Sequence, residues 1–499
     1  MTREIYINVT PHEKRVAVIS DKRIQEFYVE RPDSINLVGN IYKGRVEAVL
    51  PGMGAAFVEL GLPKNGFLYV SDVVAGASSY EKVLGEAYEE YAQNTESHKG
   101  RSSISELLKK GDEVVVQVVK EPISTKGARL TTHVSIPGRF LVLMPFDNHI
   151  GLSKRIEDRK ERDRIRKILE DLKLPKDIGF VVRTAAIGAS QRDFLRESRY
   201  LLRLWHHIKD RARRAKPPQA IHREYDIVLR VVRDVFTQEV SRLEVDSRDE
   251  FNGIMKFLSI YAPHLRSRVR FYRGQIPLFE RFEIEPQIDK LYNRIVHLKS
   301  GGYLIFDETE SLVAIDVNSG KFVGRKNLED TAFKTNLEAA EEVPRQLKLR
   351  DIGGIIIIDF IDMEFPGHRA SVFKTLERAL EDDKAKTNIL NISSIGLVEM
   401  TRQRMRQSIE SKSYQKCPYC NCRGTVKSVS TIAIELMRRL EHVLAQSKSR
   451  EVFVSVHPDV ASYVSAPERS MVRPLERRFR KTIRVIEDPN MHIEDIKIE

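Results

Sequence analysis

Apolar and polar residues alternate through EIYINVTPHEKRVAVISDKRIQEFYVE (residues 4–30), broken by turn formers, and this period of two predicts antiparallel strands. The same short-strand pattern continues through NIYKGRVEAVLPGMGAAFVELGLPKNGFLYVSDV (40–73). It resumes in DEVVVQVVKEPISTKGARLTTHV (112–134), after a polar, helix-prone insertion at about 78–110. Short strands interrupted by one longer loop suit a small OB-type barrel. From 137 to 218 strands such as RFLVLMPF and GFVVRTAA mix with basic helices. In one of these, RKERDRIRKILEDLKL, Ile165, Ile168, Leu169 and Leu172 recur at helical spacing.

Residues 295–404 carry the clearest elements. GYLIFDETESLVAIDVNSG reads as a hairpin, and LEDTAFKTNLEAAEEVPRQLKLRDIGG as a helix ended by a glycine pair. IIIIDFIDM is a continuous apolar run, which predicts a strand buried on both faces. A second helix over about 369–385 and the strand NILNISSIGLVEMT complete an α/β pattern. Near the carboxyl end STIAIELMRRLEHVLAQ is an amphipathic helix, EVFVSVHP a strand, and RSMVRPLERRFRKTIRVIED strongly basic.

At 499 residues the chain is too long for one core. Hydrophobic content of 41% with 31% charged residues excludes a disordered chain, and the net charge of +12 favours a polyanionic partner. No stretch approaches the about 20 apolar residues of a membrane span, and the charged amino terminus lacks a signal core. All three cysteines fall within KCPYCNCRGT (416–425), which suits a metal turn in a reducing compartment better than a disulfide framework, so a cytoplasmic protein is expected. Cys417 and Cys420 supply half of a closed tetrahedral zinc site. Cys422 and His442 remain as alternative ligands.

Asp316 ends LVAID and Asp359 ends IIIID. Neighbouring strands ending in Asp would place both carboxylates at one rim, with Asn318 facing the same side. Such a pair suits magnesium, which takes one or two carboxylates and phosphate oxygens, although an Asp after a strand also commonly just begins a turn. Phe57 and Phe67 beside Lys43 and Lys126 could form a base-stacking platform, or the two rings could simply fill the barrel. Arg183 and Thr184 end a strand and could hold a terminal phosphate, or be an ordinary surface pair.

The segments AIDVNSG, TNLEAAEEVPRQLKLRDIGGIIIIDFIDM and GLVEMTRQR, followed by the cysteine turn, closely resemble the bacterial ribonuclease E/G family. NIYKGRV, AAFVELG, KNGFL and KGARLTT match it as well, so the resemblance runs in order over nearly the whole chain. The ribonuclease G branch is the expected one, since no long scaffold follows the small carboxyl-terminal domain. The resemblance implies a magnesium-dependent, single-strand-specific endoribonuclease leaving 5'-monophosphate and 3'-hydroxyl ends. Its expected roles are rRNA processing and mRNA decay, with a preference for 5'-monophosphorylated RNA.

The same resemblance assigns catalysis to Asp316, Asn318 and Asp359, and a basic contact near the scissile phosphate to Lys386. RNA binding falls to Phe57, Phe67 and Lys126, and a 5'-phosphate pocket to Gly138, Val142, Arg183 and Thr184. Two protomers would each give Cys417 and Cys420 to one shared zinc, making a homodimer; pairing of dimers stays open. The implied architecture is a multi-domain α/β (α+β) chain. An RNase H-like domain (1–36 and 229–291) is interrupted by the OB-fold barrel (37–132) and a 5'-sensor region (133–228). A DNase I-like catalytic domain (292–413), a zinc link (414–427) and a small domain (428–499) follow. The competing expectation is a non-catalytic RNA-binding or ribosome-assembly factor, which loss of the Asp316, Asn318 and Asp359 set would have favoured.

Overall fold

The structure, a computed structural model, describes residues 3–32, 36–73, 104–122, 127–147, 149–175, 178–309, 311–320, 328–381, 383–393, 395–404, 408–409, 413–415, 417–447, 449–466 and 471–499. Most of the insertion expected at 78–110, and Lys126, therefore lie outside the described residues. The chain forms two compact units, Met1–Glu410 and Ser411–Glu499. No described helix is long and apolar enough to cross a membrane.

The first unit opens with an antiparallel meander, β1 (Arg3–Val9), β2 (Lys14–Ser20) and β3 (Arg23–Glu30). The alternating strands that follow are β4 (Ile41–Leu50), β5 (Ala55–Glu59), β6 (Gly66–Tyr69), β7 (Glu113–Lys120) and β8 (Arg129–Thr131). They pair in the order β4-β5-β6-β8-β7, and β7 returns to β4, so the five strands close into a barrel without a free edge. Val46, Val58, Leu68, Val116, Val118 and Leu130 fill it. Gly44 is required where β4 crosses β5: a Cβ there would lie 2.5 Å from Val58 Cγ1.

A four-stranded sheet comes next, from β9 (Ile136–Pro137), β10 (Leu141–Met144), β11 (Ile150–Leu152) and β12 (Gly179–Val182), in the order β11-β12-β10-β9. Helices α1 (Arg159–Asp171) and α2 (Gln191–Arg214) share its core through Ile165, Leu169, Phe194 and Trp205. β13 (Gln219–His222) then adds to β4. After α3 (Ile227–Asp234), β14 (Val240–Val245) runs parallel to β1, and after α4 (Arg248–Tyr261), β15 (Val269–Phe271) runs parallel to β14. One five-stranded sheet, β15-β14-β1-β2-β3, thus encloses the barrel and the four-stranded sheet between its third and fourth strands in chain order.

The last part of this unit is a six-stranded sheet. Its elements are β16 (Ile295–His297), β17 (Tyr303–Glu308), β18 (Leu312–Asn318), α5 (Leu328–Arg350), β19 (Gly354–Asp359), α6 (Pro366–Leu380), β20 (Thr387–Ile389) and β21 (Leu397–Arg402). The order is β16-β17-β18-β19-β21-β20, and only β18 and β19 are parallel neighbours. Ala339, Val343 and Leu347 of α5 and Val372 and Leu376 of α6 pack on Val313, Ile315, Ile356 and Ile358.

The apolar run IIIID does not mark a strand buried on both faces. Ile356 and Ile358 are buried under the helices, but Ile355 is 52% exposed on the opposite face, which also carries Asp316 and Asp359. The glycine pair also has a different role from the one expected. Asp351 takes the left-handed position after α5, at φ 55°. Gly353 instead permits close approach of β21, since a Cβ there would be 3.0 Å from the Arg402 carbonyl oxygen.

The second unit packs α7 (Val429–Gln446) against a sheet of β22 (Glu451–Val456), β23 (Thr482–Glu487) and β24 (Ile496–Ile498), ordered β23-β22-β24. Ile432, Leu436, Leu440, Val452, Val454 and Ile483 form its core.

Candidate functional site

The parallel pairing of β18 and β19 sets Asp316 directly opposite Asp359. The alternation of each strand turns the apolar neighbours Ile315 and Ile358 into the core and leaves both carboxylates exposed. Asn318 donates Nδ2–H to Asp316 Oδ2 at 2.7 Å, which fixes the carboxylate plane. Among the described residues neither carboxylate has a basic partner. Burial, then the charges of Asp316 and Asp362, push the Asp359 carboxyl above its usual range. Two like charges held side by side with no protein cation fit a divalent metal with oxygen ligands.

Sequence reasoning missed what holds this rim. Asn336, fully buried on α5, donates to the Ile361 carbonyl at 2.7 Å and accepts from its N–H at 3.1 Å. Glu329 accepts the N–H groups of Glu364 and Phe365 at 3.0 and 3.3 Å and bonds His368 Nδ1 at 2.7 Å. The loop bearing Asp362 is therefore tied at both ends to α5. Asp362, the second acidic residue of IIIIDFIDM, was the available signal.

Lys386 does not join the two aspartates. Thr387 pairs with Arg402 and Arg402 with Gly354, at the opposite end of β19 from Asp359. Five residues of strand, roughly 16 Å, separate them. Lys386 instead lines a crevice of about 690 Å³ between the barrel and the open face, together with Lys120, Arg129, Ile355 and Thr401. Sequence position could not reveal on which end of the sheet a residue before β20 would fall.

On the barrel, Phe57 and Phe67 face each other across β5 and β6, 5.4 Å apart and edge to face. Both are half-buried and outside the barrel core, so the rings do not fill it. Tyr69, 40% exposed, packs edge-on against Phe67 at 4.3 Å. Arg129 lies beside Phe67 in the ladder, sits 5.1 Å over the Tyr69 ring, and is held by Asp72 at 2.9 Å. This exposed row of rings and guanidinium is a surface on which bases can stack.

At the end of β12, Arg183 donates from Nη1 to the Gly138 carbonyl and to Asp234 Oδ1, both at 2.6 Å. Its own N–H donates to the Phe140 carbonyl at 2.8 Å. Thr184 Oγ1 lies 3.2 Å from Ser153 Oγ. Val142 pairs with Val181, whose side chain shares the Arg183 face, but Val142 is only 2% exposed. Gly138, Val142, Arg183 and Thr184 are thus gathered at one place. Glu197 of α2, unforeseen from sequence, accepts the N–H groups of Arg139, Phe140 and Leu141 at 2.5, 2.8 and 2.9 Å. Burial pushes its carboxyl up to about 7 despite these bonds. A Cβ at residue 138 would lie 2.6 Å from Glu197 Oε1, which accounts for the glycine.

In the second unit Cys417 and Cys422 are exposed and Cys420 is half-buried; no disulfide links them. The backbone N–H groups of Cys420 and Tyr419 hold the Cys417 thiol below its usual value, and Gly424 N–H reaches Cys420 Sγ at 3.4 Å. Thiols approached by N–H groups in a turn suit a thiolate-bound metal. Among the described residues no set of three or more His, Cys, Asp or Glu side chains is grouped to hold one ion.

Comparison with known proteins places these features. The Ribonuclease E/G family model matches residues 135–405, and the model "RNase E/G, Thioredoxin-like domain" matches residues 416–499. The chain is 42% identical to Ribonuclease G of Escherichia coli (strain K12) over 489 residues, covering 98% of each chain. It is 39% identical to Ribonuclease G of Haemophilus influenzae over 476 residues, covering 95% of this chain and 94% of that one. Against Ribonuclease E of Escherichia coli (strain K12) identity is 36% over 495 residues, 99% of this chain but 45% of that protein. The chain therefore belongs to the ribonuclease E/G family, is an endoribonuclease, and is more like ribonuclease G than ribonuclease E.

Proposed function

We propose that the chain cuts single-stranded RNA at the rim of Asp316 and Asp359 with magnesium, leaving 5'-monophosphate and 3'-hydroxyl ends. The observation that carries this reading is the pair of facing carboxylates, without a basic partner among the described residues, on the open face of the sheet. Bound there, a divalent ion supplies charge neutralisation at the scissile phosphate and a more acidic water. Asp316 and Asp359 hold it, and Asn318 keeps Asp316 in one orientation. Phe57 and Phe67, with Lys126, hold bases of the unpaired strand, which double-stranded RNA cannot offer. Lys386, in the crevice with Lys120 and Arg129, supplies a basic contact to the RNA backbone.

The 5' end binds at Arg183. Both of its side-chain bonds use Nη1, so its Nε–Nη2 edge is left to meet a phosphate as a fork. Thr184 adds a hydroxyl, and Gly138 and Val142 line the wall. Cys417 and Cys420 of two chains share one zinc, making a homodimer. The domain boundaries are those given above, with the five-stranded sheet as the RNase H-like part and the six-stranded sheet as the DNase I-like part. The setting is the cytoplasm, and the substrates are rRNA precursors and mRNA.

Cleavage of one short single-stranded RNA, prepared with a 5'-monophosphate or a 5'-hydroxyl and assayed with and without magnesium, tests the reading. Cleavage should need the metal and favour the monophosphate. Arg183→Ala should reduce that preference roughly ten- to a hundred-fold, the loss of a charge-assisted bond of ~1.5–3 kcal/mol. Equal slowing on both substrates would show that Arg183 is structural.

A further inference from the structure

The side of Arg183 turned away from its free edge is held by a carboxylate from a different core. Asp234 is the last residue of α3, whose Val228, Val231 and Val232 pack into the core of the five-stranded sheet, whereas β12 belongs to the four-stranded one. Asp234 Oδ1 takes Arg183 Nη1 at 2.6 Å. Arg233 grips both Asp234 oxygens, Nε to Oδ1 and Nη2 to Oδ2, each at 3.1 Å. Arg233 is only 6% exposed, and its Nη1 also reaches Glu224 Oε1 at 2.7 Å and the Pro137 carbonyl at 3.1 Å. The residues facing the pocket from Pro137 to Leu141 are thus fixed by Arg233, Arg183 and Glu197 together.

We infer that Asp234 is a positioning residue for recognition of the RNA 5'-phosphate: it locks Arg183 by Nη1 and so presents the Nε–Nη2 edge to the ligand. The inference rests on the pocket reading above. Two opposing effects could follow from a carboxylate beside a phosphate site. Its charge would repel the ligand, but Arg233 covers both oxygens and Arg183 pairs with Oδ1, so two guanidiniums offset the two carboxylates of Asp234 and Glu224. Its hold on the arginine removes rotamer freedom before binding, which is an entropy that a loose arginine would lose on capture. With the charge offset, the second effect dominates. Burial alone would raise the Asp234 carboxyl, yet Arg183 and Arg233 hold it well below the usual carboxylate range, so it stays ionised for this task.

The test compares kcat/KM on one RNA carrying a 5'-monophosphate or a 5'-hydroxyl, for wild type, Asp234→Asn, Arg183→Ala and the double variant. Asp234→Asn should lower the monophosphate preference roughly three- to tenfold, through KM on the monophosphorylated RNA. Added to Arg183→Ala it should lower the preference no further, since the two act through one guanidinium. Asp234→Glu, which keeps the charge but moves the accepting oxygen, should lower it too. This variant serves as the test should the Asn substitution fail to fold. Wild-type preference in both Asp234 variants, with the preference lost in Arg183→Ala, would overturn the inference and leave the pocket standing. A gain in preference, or equal slowing on both substrates, would also overturn it. Full preference in Arg183→Ala would remove the pocket reading and this inference with it.

Discussion

Asp316→Asn is expected to abolish cleavage while leaving RNA affinity within a few-fold of wild type, and Asp359→Asn is expected to do the same. Both side chains are exposed on the open face of the sheet, so the substitutions leave the core under α5 and α6 intact. Among the described residues neither carboxylate has a protein cation to leave stranded. What would be lost is the charge proposed to bind the metal, a contribution of several kcal/mol to the chemical step, with about 1.4 kcal/mol for every factor of ten in rate. The loss should appear in kcat, with KM little changed, because in this reading the carboxylates hold the metal and not the RNA. Single-turnover cleavage together with equilibrium binding of the same RNA checks this. Near wild-type cleavage by either variant in magnesium would remove that residue from the catalytic assignment.

Replacing Cys417 and Cys420 with Ser should release the zinc and convert dimers to monomers. A closed zinc site takes four ligands, each turn offers two thiols at the expected spacing, and a two-fold axis supplies the other pair. Cys422→Ser should do neither. The first unit should stay folded in every case, since all the cysteines of the chain lie beyond Glu410. Zinc content and mass by light scattering, taken on one preparation, decide the matter. One full equivalent of zinc on a monomer would sink the shared site and point to Cys422 or His442 as an internal ligand.

The sequence made some of this legible for identifiable reasons. Asp316 and Asp359 stood out because each follows an apolar run, and parallel pairing did bring them into register. The barrel was readable from short alternating strands between turn residues. The open face of the six-stranded sheet was not, because Ile355 is apolar and yet half exposed, and periodicity cannot separate that from a strand covered on both sides. The position of Lys386 was not legible because strand order, which sends β20 to the edge beyond β21, is a tertiary property. Glu197 and Asp234 were invisible for a similar reason. They sit on helices as ordinary acidic residues, and only packing aims them at the turn near Gly138 and at Arg183.

Whether Asp316 and Asp359 hold the catalytic metal can be read from metal binding without RNA. Manganese can stand in for magnesium at oxygen ligands and be followed by electron paramagnetic resonance. One manganese site per chain is expected in the wild type, and its loss in the Asp316→Asn/Asp359→Asn double variant, with thermal unfolding unchanged. Equal manganese binding by the two proteins would contradict that assignment.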